Sequence, residues 1–255
     1  MSERLKGHIR VYVAGIIMIS AMAVGLVLAA PLRAQQMPEA LTPPVIFVGG
    51  HGQYARPVGE FRDYVKHGGG LGAHLVWPVQ PGSAFALRAD GGFLIYGSET
   101  RRVCFGGGVG CRIELDLTTT NTIAHGHIGP QLMLQSGPVR PYANAGIGFA
   151  YFATTSQIEG SSSNDNIAST TNFDDVTLAW SSGGGLLIPL SSGRTPVMLD
   201  LGVRYHGNGE VEYLKEGDIT DNPDGSITLT PTRSEANLLT FQLGVTVGIR
   251  RPAAN

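Results

Sequence analysis

Three short stretches carry the residues whose types and spacing could do chemistry. Arg88 and Asp90 stand two apart in LRADGG, Asp200 and Arg204 four apart in LDLGVRYHG, and His125 and His127 two apart in IAHGHIG. Spacings of two and four align side chains on one face of an extended strand. On such a face His125 and His127 could ligate a metal with His74 as a third imidazole. Ser181 or Ser182, one of those histidines and Asp200 supply the residue types of a nucleophile, base and orienting acid. Against the metal, no carboxylate is fixed beside the histidines, and against the triad, no recognisable nucleophile motif surrounds the serines. The expectation is therefore no catalytic residue, no metal and no cofactor. The set His74, Arg88, Asp90, His125, His127, Asn144, Asp200, Arg204 and Gln242 reads instead as a polar network, in which charges taken out of water must be paired.

The elements that position these residues are strands. From Pro44 onward no helical period is evident, and alternating segments fall near 45–54, 69–79, 84–96, 117–135, 140–155, 174–190, 197–206 and 236–250. Short connections rich in Pro, Gly and Ser (78–83, 136–141, 189–196) alternate with longer ones (55–68, 97–116, 156–173, 207–235). Pro, Gly and Ser supply the dihedrals of tight turns. Strict alternation of long and short is the rhythm of an up-and-down barrel with loops at one end and turns at the other. An even strand number returns both termini to one side.

Phase decides which surface is apolar. Phe85, Leu87, Ala89, Phe93 and Ile95 share one face, and Arg88 and Asp90 the other. Val197, Leu199, Leu201, Val203 and Tyr205 oppose Asp200, Arg204 and His206, while Leu239, Phe241, Leu243, Val245, Val247 and Ile249 oppose Gln242 and Gly244. A soluble barrel has the same period, so the polar face must decide. It is crowded with Gly and Ala and carries charges of both signs, which suits a narrow lumen better than a solvated surface. Charged residues make up 15% of the chain, against about 25% in soluble domains. Segments of about ten residues also match a tilted membrane crossing. The expected fold is an all-β, up-and-down antiparallel eight-stranded transmembrane β-barrel.

The first residues set the compartment. Arg4, Lys6 and Arg10 precede an apolar run over 11–30, and Ala34 ends PLRA at a cleavage position. Residues 1–34 read as a removed signal peptide. After them come a short periplasmic segment over 35–44, the barrel over 45–250 and a tail over 251–255. The chain has 18 basic and 20 acidic residues, and removing Arg4, Lys6, Arg10, Arg33 and Glu3 leaves 14 and 19, a net charge of −5. That acidity excludes a nucleic-acid partner, which requires a concentrated basic surface. Cys104 and Cys111 enclose FGGGVG, and in an oxidising compartment a disulfide is the expected pairing.

On these strands, turns and glycines the chain resembles the eight-stranded outer-membrane barrels of Gram-negative bacteria, the opacity, OmpA and OmpX-like group. The most specific local match is the last strand, QLGVTVGI, with Gln242, Gly244, Val247 and Ile249. It is similar to the terminal signal read by the barrel-assembly machinery, although Ile249 stands where family members often carry an aromatic residue. The resemblance implies the outer membrane as location, its lipid and the assembly machinery as partners, and a structural or surface-interaction role through long loops. SQIEGSSSNDNIASTTN (156–172) is expected to be a mobile loop, and alternation around Val211 and Tyr213 and again at Ile227 and Leu229 suggests strand extensions beyond the membrane. DNPDG (221–225) reads as a turn rather than a calcium loop. Loop composition names no ligand. The alternatives are a narrow or gated pore, a soluble lipocalin-like carrier, and a lipid-modifying outer-membrane enzyme.

Overall fold

A computed structural model of the chain describes residues 44–104, 114–160, 163–191, 195–215, 217–222 and 227–250. The signal peptide, nearly all of 35–44, Cys111 and the 251–255 tail lie outside them. Strands β1 (Ile46–Pro57), β2 (Gly68–Pro78), β3 (Phe85–Cys104), β4 (Glu114–Met133), β5 (Arg140–Gly160), β6 (Ser163–Ser191) and β7 (Val197–Asn208) form the wall in order, with a short helix α1 (Phe61–Tyr64) between the first two. After β7 come β8 (Glu210–Tyr213), β9 (Ile219–Asp221), β10 (Ile227–Leu229), β11 (Thr232–Glu235) and β12 (Leu238–Ile249). The ring runs β1-β12-β7-β6-β5-β4-β3-β2 and is closed, so the expected eight-stranded barrel is the observed one. Its closure joins β1 to β12 antiparallel, from Ile46 opposite Ile249 to Pro57 opposite Leu238.

Two of the short turns contain Gly82 and Gly137 at φ values of 84° and 105°, a left-handed conformation that only glycine adopts at no steric cost. Above the other rim the wall is uneven. Strands β3 to β6 have 20, 20, 21 and 29 residues, whereas β1, β7 and β12 have 12 and β2 has 11. Much of what reads as loop over 97–116 and 156–173 is thus strand that continues past the barrel proper. Both faces of these extensions are polar, so apolar alternation cannot reveal them. Threonines favour extended backbone and pair across strands, with Thr100 Oγ1 3.0 Å from Thr118 Oγ1 and Thr119 Oγ1 2.9 Å from Ser156 Oγ. The 208–235 segment forms two small hairpins, β8 with β11 and β9 with β10, in line with the alternation seen around Val211, Tyr213, Ile227 and Leu229.

The phase is apolar outward. Leu71, Leu75, Trp77, Phe85, Leu87, Ile147, Phe149, Leu178, Leu201, Val203, Leu243 and Val245 stand exposed around the ring, Leu178 at 85% and Ile147 at 72%. In β3 the outward row from Phe85 to Ile95 rises about 25 Å for a tilt near 40°, the height of a bilayer's apolar layer. Aromatic side chains lie toward the edges of the band: Trp77 and Phe85 by the turns, Tyr54 against Phe241 and Trp180 against Tyr205 by the loops. No helix among the described residues is long and apolar enough to cross a membrane; the strands cross it. A soluble carrier requires the opposite phase, and that reading is set aside.

Placing a charge on this band tests its orientation. Leu243→Arg is expected to lower stability in lipid vesicles by about 2–4 kcal/mol, read as the urea concentration at which the folded gel band disappears. Wild-type resistance in that variant would mean that the face does not meet acyl chains.

Candidate functional site

The lumen is layered. Near the turns, Phe47, Val76, Ala86, Met133, Tyr142, Leu187 and Met198 form a buried apolar cluster. Near the loops, Phe61 of α1 inserts among Tyr96, Phe152 and Tyr213, its ring centre 5.0 Å from that of Tyr213 and 5.6 Å from that of Tyr96. Ala55, Val65, Leu94, Ile123, Ala150, Ala179, Val211, Ala236 and Leu238 complete this second cluster. Tyr213 Oη lies 2.9 Å from Ser234 Oγ, and burial pushes its hydroxyl up to about 12.

Between the clusters lies the polar layer, organised by two carboxylates. Asp90 accepts from Arg88 Nε at 3.1 Å and from Arg204 Nη1 at 2.5 Å, with His127 Nδ1 3.5 Å away. Arg88 Nη1 also donates to Gln131 Oε1 at 3.0 Å, and its guanidinium lies over the Tyr142 ring. Asp200 accepts from Tyr142 Oη at 2.8 Å and Thr246 Oγ1 at 3.2 Å. His74 Nε2 reaches Thr246 Oγ1 at 3.0 Å and Asp200 at 3.6 Å. Both arginines thus meet Asp90, while Asp200 is held by Tyr142, Thr246 and His74. Backbone room is made by glycine: a Cβ at Gly49 would stand 2.4 Å from the His74 ring, and one at Gly72 2.5 Å from that of His51. Gly49 pairs with His74 and His51 with Gly72, so large and small alternate across β1 and β2.

Every polar residue expected from phase lies in this layer, and most are joined. His74, Arg88, Asp90, His127, Asp200 and Arg204 belong to the two carboxylate clusters. His125 packs against His127 and His206, ring centres 5.6 and 5.0 Å apart. Asn144 is buried and Gln242 half-buried on the same layer, but no hydrogen bond ties either to it among the described residues. Gln242 stands opposite Gln53, and Gly244 opposite His51, on the closing strand pair. Cys104 ends β3, and its expected partner is not among the described residues.

The imidazole set differs from the one that spacing suggests. His74 stacks on His51 at 5.7 Å, and the third ring beside His125 and His127 is that of His206. No group of three His, Cys, Asp or Glu among the described residues has the geometry to hold a metal. Nor are the triad types assembled: Ser181 pairs with His206 across β6 and β7, and no hydrogen bond links Asp200 to His125 or His127 among the described residues. Sequence reasoning missed His51, Gln53, Gln131 and Tyr142, and it put Thr240, Thr246 and His206 on the inward face without including them in the network. Gly49, His51 and Gln53 share the inward face of GGHGQYA, a signal weakened because the outward positions between them, Gly50 and Gly52, carry no apolar side chain.

Asp90 holds two buried guanidiniums apart. Asp90→Asn is expected to cost about 3–5 kcal/mol, because it leaves Arg88 and Arg204 unneutralised; denaturant titration of the refolded barrel in detergent measures it. A loss below about 1 kcal/mol would mean that the arginines are solvated rather than paired.

No protein-family model matches the chain, and no curated protein matches it in sequence. Among solved structures it is similar to Ail, the attachment invasion locus protein of Yersinia pestis, at 11% identity and a TM-score of 0.40 over 80% of this chain and 98% of that one. It is similar to a major outer membrane protein from Thermus thermophilus at 14% identity and a TM-score of 0.40, over 78% and 98% of the two chains. Neisserial surface protein A matches at 11% identity and a TM-score of 0.34, over 81% and 97%. The chain's own geometry carries the conclusion. Closed antiparallel barrels with an even strand number and an outward apolar band are proteins of the bacterial outer membrane, and this chain has that architecture and that location.

Proposed function

We propose that this barrel is a sealed membrane anchor that works through what it raises above the outer leaflet. The observation that carries this reading is the layered lumen: two buried apolar clusters on either side of a hydrogen-bonded polar layer. Eight strands enclose a space barely wide enough for side chains, and large inward side chains fill it at both ends. Ions meet Phe61, Phe152 and Tyr213 at one end and Phe47, Met133 and Met198 at the other, so conduction would require both clusters to open. The polar layer then acts as a structural core that fixes the register of the wall.

The turn end faces the periplasm and the strand extensions face outward, following the polarity of outer-membrane barrels. Surface interaction therefore falls to β3–β6 beyond the bilayer and to the two hairpins. Outer-membrane lipid is the solvent of the band. During biogenesis the assembly machinery reads Gln242, Gly244, Val247 and Ile249 on β12, which also closes the ring. Cys104 and Cys111 pair at the tip of β3 in the oxidising compartment and stiffen it.

Single-channel recording tests the sealed lumen. Purified barrel in a planar bilayer is expected to show no sustained openings, while Phe61→Gly, which removes the side chain at the centre of the outer cluster, is expected to admit brief ones. Steady wild-type conductance would replace this reading with the narrow pore.

A further inference from the structure

At the turn end of the lumen, two arginines stand apart from the polar layer. Arg140 opens β5 and Arg250 follows β12, and each continues an inward-facing row: Arg140, Tyr142 and Asn144 on one strand, Thr246, Gly248 and Arg250 on the other. We propose that Arg140 and Arg250 bind a phosphate oxyanion at this mouth of the barrel.

Neither has the partner that a guanidinium requires. Arg88 and Arg204 meet Asp90 in the interior, whereas Arg140 and Arg250 have no ion pair among the described residues. Arg140 Nε donates to Gly137 O at 3.4 Å and Nη1 to Met198 Sδ at 3.6 Å. The first is longer than an ordinary N–H···O bond, and a thioether is a weak acceptor. Arg250 Nε and Nη1 are covered by the protein with no acceptor among the described residues. On both arginines Nη2 makes no hydrogen bond among the described residues and is not covered, so that edge is where a ligand meets them.

Charge argues for an anion rather than for water. The charge that acts on Arg140 is that of Arg250, like in sign, and no carboxylate among the described residues offsets it. Water satisfies donors but leaves the repulsion in place. The short turns at this end, 78–83, 136–141 and 189–196, contain neither Asp nor Glu. Asp200 is already held by Tyr142 at 2.8 Å and Thr246 at 3.2 Å. The mouth itself is stiff: Pro44 and Pro196 close around Gly248, where a Cβ would stand 2.9 Å from the Cγ of each. A fixed pair of cations pays little to be ordered when its ligand arrives.

A phosphate suits two guanidiniums better than a halide does, because its oxygens accept from both planar forks at once and its charge reaches about −2 at neutral pH. Two sources offer that chemistry at the turn end, a phospholipid headgroup in the surrounding leaflet and a soluble phosphate ester in the water beyond it. Both would meet the same two side chains.

The test uses the mature barrel in detergent, its fold confirmed by the gel-mobility shift on boiling. One arm is calorimetric titration with glycerol 3-phosphate against chloride at equal ionic strength. The other refolds the barrel in vesicles of equal phosphatidylglycerol and phosphatidylcholine and reads the lipid it retains by native mass spectrometry. Binding in at least one arm is expected, weakened about tenfold by Arg140→Gln and about tenfold by Arg250→Gln. Arg233→Gln, which alters an exposed pair with Glu210 far from the turns, is expected to leave it unchanged. In chloride alone both variants are expected to resist denaturant at least as well as wild type, because each removes a repulsion rather than a bond. Glycerol phosphate binding identifies a soluble ligand and selective retention of phosphatidylglycerol a headgroup, and either supports the site. Wild-type barrel that binds in neither arm, or binding that the double variant keeps in full, overturns it.

Discussion

In a hydrocarbon layer no water is available to a free N–H or C=O, so a sheet that crosses it must have no edge. Everything else in this chain follows from that constraint. The sheet meets it by pairing β1 with β12 over their whole lengths. Closing on eight strands fixes the circumference, and that in turn makes the lumen too narrow for water to solvate what points into it. Inward side chains must then satisfy one another. That is why the small residues Gly49 and Gly72 face imidazoles, and why each arginine of the interior has a carboxylate in reach.

The interior therefore behaves like the core of a soluble protein turned polar at its middle. Apolar clusters at both ends keep water from the ion pairs, which strengthens them and raises the cost of breaking any one. Five of the chain's seven histidines, at 51, 74, 125, 127 and 206, are buried in this lumen. Imidazoles suit the position because they fill space as aromatic rings do and still offer a nitrogen to Thr246 or Thr240. Outside, the same closure leaves the wall free to continue upward as polar strands once the bilayer ends.

The barrel was legible in the sequence because it is written with a period of two: Val197, Leu199, Leu201 and Val203 face out, and Asp200 and Arg204 face in. Part of the polar layer was legible for the same reason, but His51, Gln53, Gln131 and Tyr142 were not picked out. Partnership was not legible, since Asp90 on β3 and Arg204 on β7 meet only across the lumen. The extensions of β3–β6 escaped because their two faces are alike in polarity, leaving no contrast to read. Helix α1 escaped because four residues are too few for a helical period, and Phe61 has no neighbour in sequence that explains its burial. Its partners Tyr96, Phe152 and Tyr213 come from three distant strands.

The central claim is that the apolar face meets lipid while the charges meet each other. The chain's two tryptophans mark the two edges of that face, Trp77 toward the turns at 60% exposure and Trp180 toward the loops at 49%. Fluorescence quenching in vesicles, with bromines on the acyl chains or iodide in the water, reads their surroundings directly, and Trp77→Phe and Trp180→Phe separate the two signals. Strong quenching of both by brominated lipid, with little effect of iodide, is the predicted result. Tryptophans quenched by iodide and indifferent to brominated lipid would contradict the account.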